Sequence, residues 1–275
     1  MLVGSLLAVT LVSAQIQTND STSRSAVSVP AAATTGHTAI NLGLFRTGLS
    51  VGNSARWTGL RVNFRDAGVA SVNGLSLTLW KAKEGSNRTT RVNGLALGLV
   101  GPEGGTFRGL TFGTVGVLAH RSMTGVNLGG GALVSEGSIN GINVGGLGTV
   151  ALGRARGITV GGLGVFARGG AAGLTVGPIG VVGGGETRGV TIGGLGVATN
   201  GSLGGLSIGG LAVLAKGQAS GANVAGVALV GHGGLLGLNV GGLVVSSRGR
   251  VGGINVAGLL VSSKESVEGI TASLY

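Results

Sequence analysis

Aliphatic residues fall at fixed places in a phrase of sixteen residues across the C-terminal two thirds of the chain. Each phrase opens on a glycine, which recurs as Gly109, Gly125, Gly141, Gly157, Gly173, Gly189, Gly205, Gly221, Gly237, Gly253 and Gly269. The phrase reads G-h-[TNS]-h-[GA]-x-h-x-h, with h mostly Val, Leu or Ile, as in GITVGGLGV from Gly157. Counting the glycine as position 1, apolar residues hold positions 2, 4, 7 and 9. Steps of two are strand alternation, whereas the step of three across positions 5 and 6 breaks it. The pattern predicts two short strands meeting at a corner. Position 6 is Gly in most copies and Pro178 in one, and proline is tolerated at a bend but not within a paired strand. A second turn is expected at positions 12 to 14, as in Arg168-Gly169-Gly170 and Arg248-Gly249-Arg250.

A fixed period of this length marks stacked supersecondary units. The predicted fold is therefore all-β: a β-solenoid of 16-residue coils, two short strands per coil, with neighbouring coils about 4.8 Å apart. Hydrophobicity assigns positions 2, 4, 7 and 9 to the interior. Position 3 is then an outward polar column: Thr111, Asn127, Asn143, Thr159, Thr175, Thr191, Ser207, Asn223, Asn239, Asn255 and Thr271. Flanked by Gly or Ala at positions 1 and 5, that column forms the candidate interaction face, a flat surface with one narrow polar rib. Position 12 carries mainly hydrophilic residues and reads as a solvated turn.

Upstream, residues 37–108 carry the same phrase at uneven spacing. Gly48, Gly59, Gly74, Gly94 and Gly109 open the copies, at intervals of 11, 15, 20 and 15 residues. Irregular end coils are expected where a stack must cover its edge. Residues 15–36 are rich in Ser, Thr and Ala and read as a flexible spacer. Residues 1–14 read as an export signal: an apolar run from Leu2 to Val12 ends in the small-residue pattern Val12-Ser13-Ala14 before Gln15.

Composition narrows the chemistry. Glycine supplies 62 of 275 residues, which with 43% apolar residues and no three-residue period excludes both collagen and an ordinary helical domain. The formal charge of +11 favours anionic neighbours, while the 3% aromatic content argues against base stacking and hence against a nucleic-acid partner. There are no cysteines, so disulfides, thiolate metal sites and a lipidated-cysteine anchor are excluded. Cofactors, metals and a small-molecule substrate are not expected. The eight acidic residues are dispersed, and His120 and His232 share a column seven coils apart, about 34 Å by the strand spacing, too far to share an ion. G-x-G-x-x-G strings arise by chance in so glycine-rich a chain, and none opens a helix.

The phrases GLTVGPIG from Gly173 and GVTIGGLG from Gly189 resemble the bacterial surface-repeat family first catalogued in Leptospira, whose units are written roughly G-h-Q-h-G-h-h-N. Here Thr, Asn or Ser stands in place of the usual Gln, and Gly or Ala in place of Asn. The resemblance implies export and surface display, and it carries no catalytic residues. The expected function is a non-enzymatic, exported structural or adhesive element at the cell surface, acting through the Gly/Thr/Asn face. Its candidate partners are another copy of the chain, an anionic surface polymer or a membrane surface without a transmembrane helix. An outer-membrane β-barrel is the alternative, with an ice-binding or glycan-binding solenoid beyond it.

Overall fold

A computed structural model describes residues 39–44, 46–83 and 87–274, within the unit Gly36–Tyr275. Residues 1–36, read from the sequence as an export signal and a spacer, and His37 lie outside the described residues. What is described is all-β, with parallel strands stacked as a β-solenoid of about 13 turns. The first strand, β1 (Ala39–Leu44), is the exception to the parallel pattern: it pairs antiparallel with β2 (Thr47–Gly52) and closes one edge of the stack. From β2 the chain runs through β3 (Arg56–Asn63), β4 (Ser71–Thr78), β5 (Arg91–Gly98), β6 (Glu103–Gly113) and β7 (Gly116–Gly129). These irregular coils keep one register, in which Gly48 faces Gly59, Gly59 faces Gly74, Gly74 faces Gly94 and Gly94 faces Gly109. The uneven intervals are therefore absorbed in the loops.

Beyond β7 each coil holds one four-residue strand and one longer strand, for example Gly164–Ala167 and Ala171–Gly177. Every strand residue faces the residue sixteen places on, as Thr159 faces Thr175 and Thr175 faces Thr191. Parallel ladders between successive coils rule out the up-and-down antiparallel staves of an outer-membrane barrel. Pro178 sits in the bend between two strands, where the broken alternation places a corner.

The opening glycine of each phrase makes a second bend. In the regular copies its φ lies between 95° and 117°, a region that L side chains rarely adopt. A Cβ there would sit 2.1–2.3 Å from the carbonyl oxygen of the glycine one coil earlier. Only glycine lets successive coils approach at this corner, so the strict period is a packing requirement.

The faces are reversed relative to the hydrophobic expectation. Positions 3, 5, 9, 11 and 15 point inward, whereas positions 2, 4, 7 and 10 point outward or lie half-buried. Of the four aliphatic positions taken as interior, only position 9 is, as at Val197, Val213 and Leu229. The supposed outward column is buried instead. Thr111, Asn127, Asn143, Thr159, Thr175, Thr191, Ser207, Asn223, Asn239 and Asn255 are each at most 2% exposed, and only Thr271, in the last coil, is open.

The physical reason is the narrowness of the coil. At position 5 the two strands pinch together: a Cβ on Gly161 or Gly193 would come within 1.9 Å of the position-8 carbonyl oxygen of its own coil. Two branched aliphatic columns do not fit beside that pinch, but a short polar residue does. Its amides pair along the axis, where Asn127 Nδ2 donates to Asn143 Oδ1 (2.8 Å), Asn223 to Asn239 (3.1 Å) and Asn239 to Asn255 (2.9 Å), while the ends of these runs, Asn127 Oδ1, Asn223 Oδ1 and Asn255 Nδ2, are left without a partner. Such stacked amides are the stabilising ladders of in-register parallel sheets. The wider end of the coil, at positions 9, 11 and 15, holds the apolar core, with Phe107, Met123, Leu133 and Ile139 in one cluster and Leu203, Val213, Leu229 and Leu235 in another.

Candidate functional site

Because the interior is small and partly polar, the large aliphatic side chains cover the outside. Position 7, the outer bend, carries Leu147 (60% exposed), Ile179 (51%), Leu195 (54%) and Leu211 (52%), with Leu163, Val227, Leu243 and Leu259 similarly open. On one side of this edge, position 2 exposes Ile142, Ile158, Leu238 and Ile254; on the other, position 10 exposes Phe166, Val182 and Leu214. The apolar surface thus wraps three sides of most coils. The edge runs on through exposed Val115 and, in the irregular coils, through Trp80 and Phe64, which are stacked with ring centroids 6.4 Å apart.

Charge is confined to the opposite edge. In the regular array the charged residues are Arg121, Glu136, Arg154, Arg156, Arg168, Glu186, Arg188, Lys216, Arg248, Arg250, Lys264, Glu265 and Glu268. All of them occupy positions 12, 13, 14 or 16. Nine are basic and four acidic (9 − 4 = +5), and positions 1 to 11 hold no charged residue in any of the regular copies. Ion pairs within the charged edge are solvent-exposed, as at Arg188–Glu186 (2.6 Å) and Arg250–Glu268 (3.7 Å), and contribute little to stability.

Turns usually leave backbone amides for water, but the apolar bend does not. Its position-7 amides form an axial ladder: Gly131 N donates to Val115 O, Leu147 N to Gly131 O, Leu163 N to Leu147 O, and so on to Leu259 N and Leu243 O, at 2.6–2.9 Å. Most position-6 amides donate to the position-5 carbonyl of the coil before, as Gly146 N does to Gly129 O (2.8 Å); Pro178 has no amide to offer, and Gly258 N bonds Gly242 O (3.1 Å) instead. Val115 N bonded to Val100 O (2.9 Å) extends the ladder into the irregular coils, where Trp80 N separately bonds Phe64 O (2.7 Å). The edge is apolar in its side chains, and its position-7 amides are bonded from coil to coil.

Two polar clusters were not legible from motif spacing. His120 lies between carboxylates, with Nδ1 2.9 Å from Glu136 Oε1 and Nε2 3.2 Å from Glu103 Oε1. His120 and Glu136 are one coil apart in the same column, so that half of the contact was readable from the period; Glu103 comes from an irregular coil. Among the described residues no three His, Cys, Asp or Glu side chains converge on a metal position. In the irregular coils the position-3 column runs Ser50, Arg61, Ser76, which buries a guanidinium inside the stack. Arg61 Nη2 donates to Asp66 Oδ1 (2.7 Å), and the same carboxylate accepts from Asn63 Nδ2 (2.9 Å) and Thr78 Oγ1 (2.8 Å). With all partners inside the coil, this network has the character of structural glue between end coils. Comparison of the chain with protein-family models, curated proteins and solved structures returned no match.

Proposed function

We propose that the protein is a non-enzymatic, exported structural or adhesive element whose solenoid docks to a cell-envelope surface through its apolar arc. One observation carries this reading: the separation, coil after coil, of aliphatic outward positions 2, 4, 7 and 10 from a charged edge at positions 12 to 16. Ten coils at about 4.8 Å each, with roughly ten arc residues at about 3.3 Å, give an apolar surface on the order of 1,500 Å². Monomeric soluble proteins rarely expose continuous patches beyond a few hundred Å², and larger ones mark interaction sites. Docking therefore moves from the buried Thr/Asn/Ser column to the opposite set of side chains, and the ice-binding and glycan-binding alternatives that needed that column exposed lose their basis. Export rests on the signal-like residues 1–14 and accords with the surface display that the repeat resemblance implies.

The test is fractionation of cells producing the full chain. The protein should be recovered with the envelope, and a variant carrying Leu163→Gln, Ile179→Gln and Leu195→Gln should shift to the soluble fraction while keeping its β-sheet circular dichroism. Recovery of the unaltered protein as a soluble monomer would overturn the reading.

A further inference from the structure

Resting on that docking reading, we infer that the occupant of the apolar arc is the acyl layer of one leaflet of an anionic membrane, with the solenoid axis lying in the plane of the bilayer. Three features of the arc select a fluid lipid phase over a protein partner.

The first is shape. The exposed side chains wrap from position 2 around the position-7 bend to position 10, so they face three directions. A second copy covers one face and leaves two in water, whereas acyl chains surround all three.

The second is the backbone. Hydrocarbon admits only segments whose amides and carbonyls are bonded within the protein, which is why spanning structures are helices or closed barrels. The strand arms meet that demand through their parallel ladders, and at the bend the position-7 amides meet it in an unbroken series from Val115 to Leu259, while position-6 carbonyls such as Gly146 O and Gly162 O accept no backbone amide. A protein partner would place no such demand on the turn.

The third is depth and charge. Four residues of strand on either side of the bend, at about 3.3 Å each, reach roughly 13 Å. One leaflet of the hydrocarbon core is about 15 Å thick, half of the usual 30 Å. With the position-7 edge deepest, positions 12 to 16 come to the headgroup level. There Arg154, Arg168, Arg188, Lys216, Arg248 and Lys264 meet lipid phosphates.

The chain has no cysteine, so single labels can be placed at will. The purified full chain, carrying either Leu195→Cys or Lys216→Cys with an environment-sensitive nitrobenzoxadiazole label, is mixed with vesicles of phosphatidylcholine with or without phosphatidylglycerol and floated on a density gradient. The expected result is flotation with phosphatidylglycerol vesicles on the order of tenfold above phosphatidylcholine alone, as one or two basic side chains near an anionic surface produce. The 195 label should shift to the blue and become shielded from aqueous iodide, while the 216 label stays quenchable. Flotation with both labels equally quenchable overturns the insertion, and equal flotation with both vesicles overturns the anionic leaflet. Absence of flotation, with the 195 label shielded in an oligomer seen by light scattering, overturns the lipid inference and leaves the docking reading standing. Absence of flotation from a monomer with the 195 label exposed removes both.

Discussion

The reversal of faces is tested by a pair of substitutions two residues apart, Val213→Asp and Leu211→Asp. Val213 is fully buried, in register between Val197 and Leu229 of the adjoining coils. Replacing it loses about 1.5–3 kcal/mol of aliphatic burial. It also leaves a carboxylate without a partner inside the coil, at a further cost of several kcal/mol. The sum, on the order of 5 kcal/mol or more, rivals the whole stability of an ordinary domain. Leu211 is already 52% exposed, so its aspartate forfeits only about 1 kcal/mol of transfer energy and keeps its charge in water. In a stack whose units contact only their neighbours, the Val213 change should open locally and split the array. Far-UV circular dichroism on the detergent-free protein should show an early unfolding step for Val213→Asp and a shift of roughly 2–4 °C for Leu211→Asp. Hydrogen exchange should place the loss of protection for Val213→Asp in coils containing residues 197–229. Equal damage from the two changes, or greater damage from Leu211→Asp, would refute the assignment of inside and outside.

Two further substitutions probe the corners and the end coils. Gly189→Ala forces a Cβ to 2.3 Å from Gly173 O at φ 105° and should destabilise by more than the roughly 1–3 kcal/mol of backbone strain alone, whereas Gly204→Ala meets nothing closer than 3.6 Å; denaturant midpoints of the two variants check the difference. Arg61→Met leaves Asp66 buried without its cation and should cost about 3–5 kcal/mol, read as protease cutting confined to the irregular coils, and adding Asp66→Asn should restore part of the loss because no charge is then orphaned.

Much of the architecture was open to reading without coordinates. The glycine period gave the coil, the step of three with Pro178 gave the bend, and even the unevenly spaced Gly48, Gly59, Gly74 and Gly94 fall into one register. The direction of the side chains was not. Alternation divides a strand into two faces but does not say which is inside, and the usual tie-breaker, that aliphatic residues go inward, fails where the interior is too thin. The glycines at position 5 carried the missing information, since they mark the pinch that excludes branched side chains. The candidate column of Thr, Asn and Ser was correct as a column and wrong as a surface for the same reason. The absence of charge from positions 1 to 11 was visible in the letters and pointed to the apolar arc, but its meaning depends on knowing that positions 2, 4, 7 and 10 face out. Arg61 stayed hidden because a lone arginine in a strand normally reads as solvent-facing, and only the stacking of Ser50, Arg61 and Ser76 shows otherwise.

Since each strand residue of the regular array meets its own counterpart sixteen places on, length is a quantised property of this molecule. Duplicating one phrase adds about 4.8 Å of axis and leaves the cross-section untouched. An insertion of one residue into a strand would instead rotate every later side chain of that strand by half a turn and bring its leucines against the pinch. Growth or shrinkage is therefore permitted in whole steps only, and a lineage of such chains should differ by multiples of sixteen in the array while varying freely in the loops of the first coils.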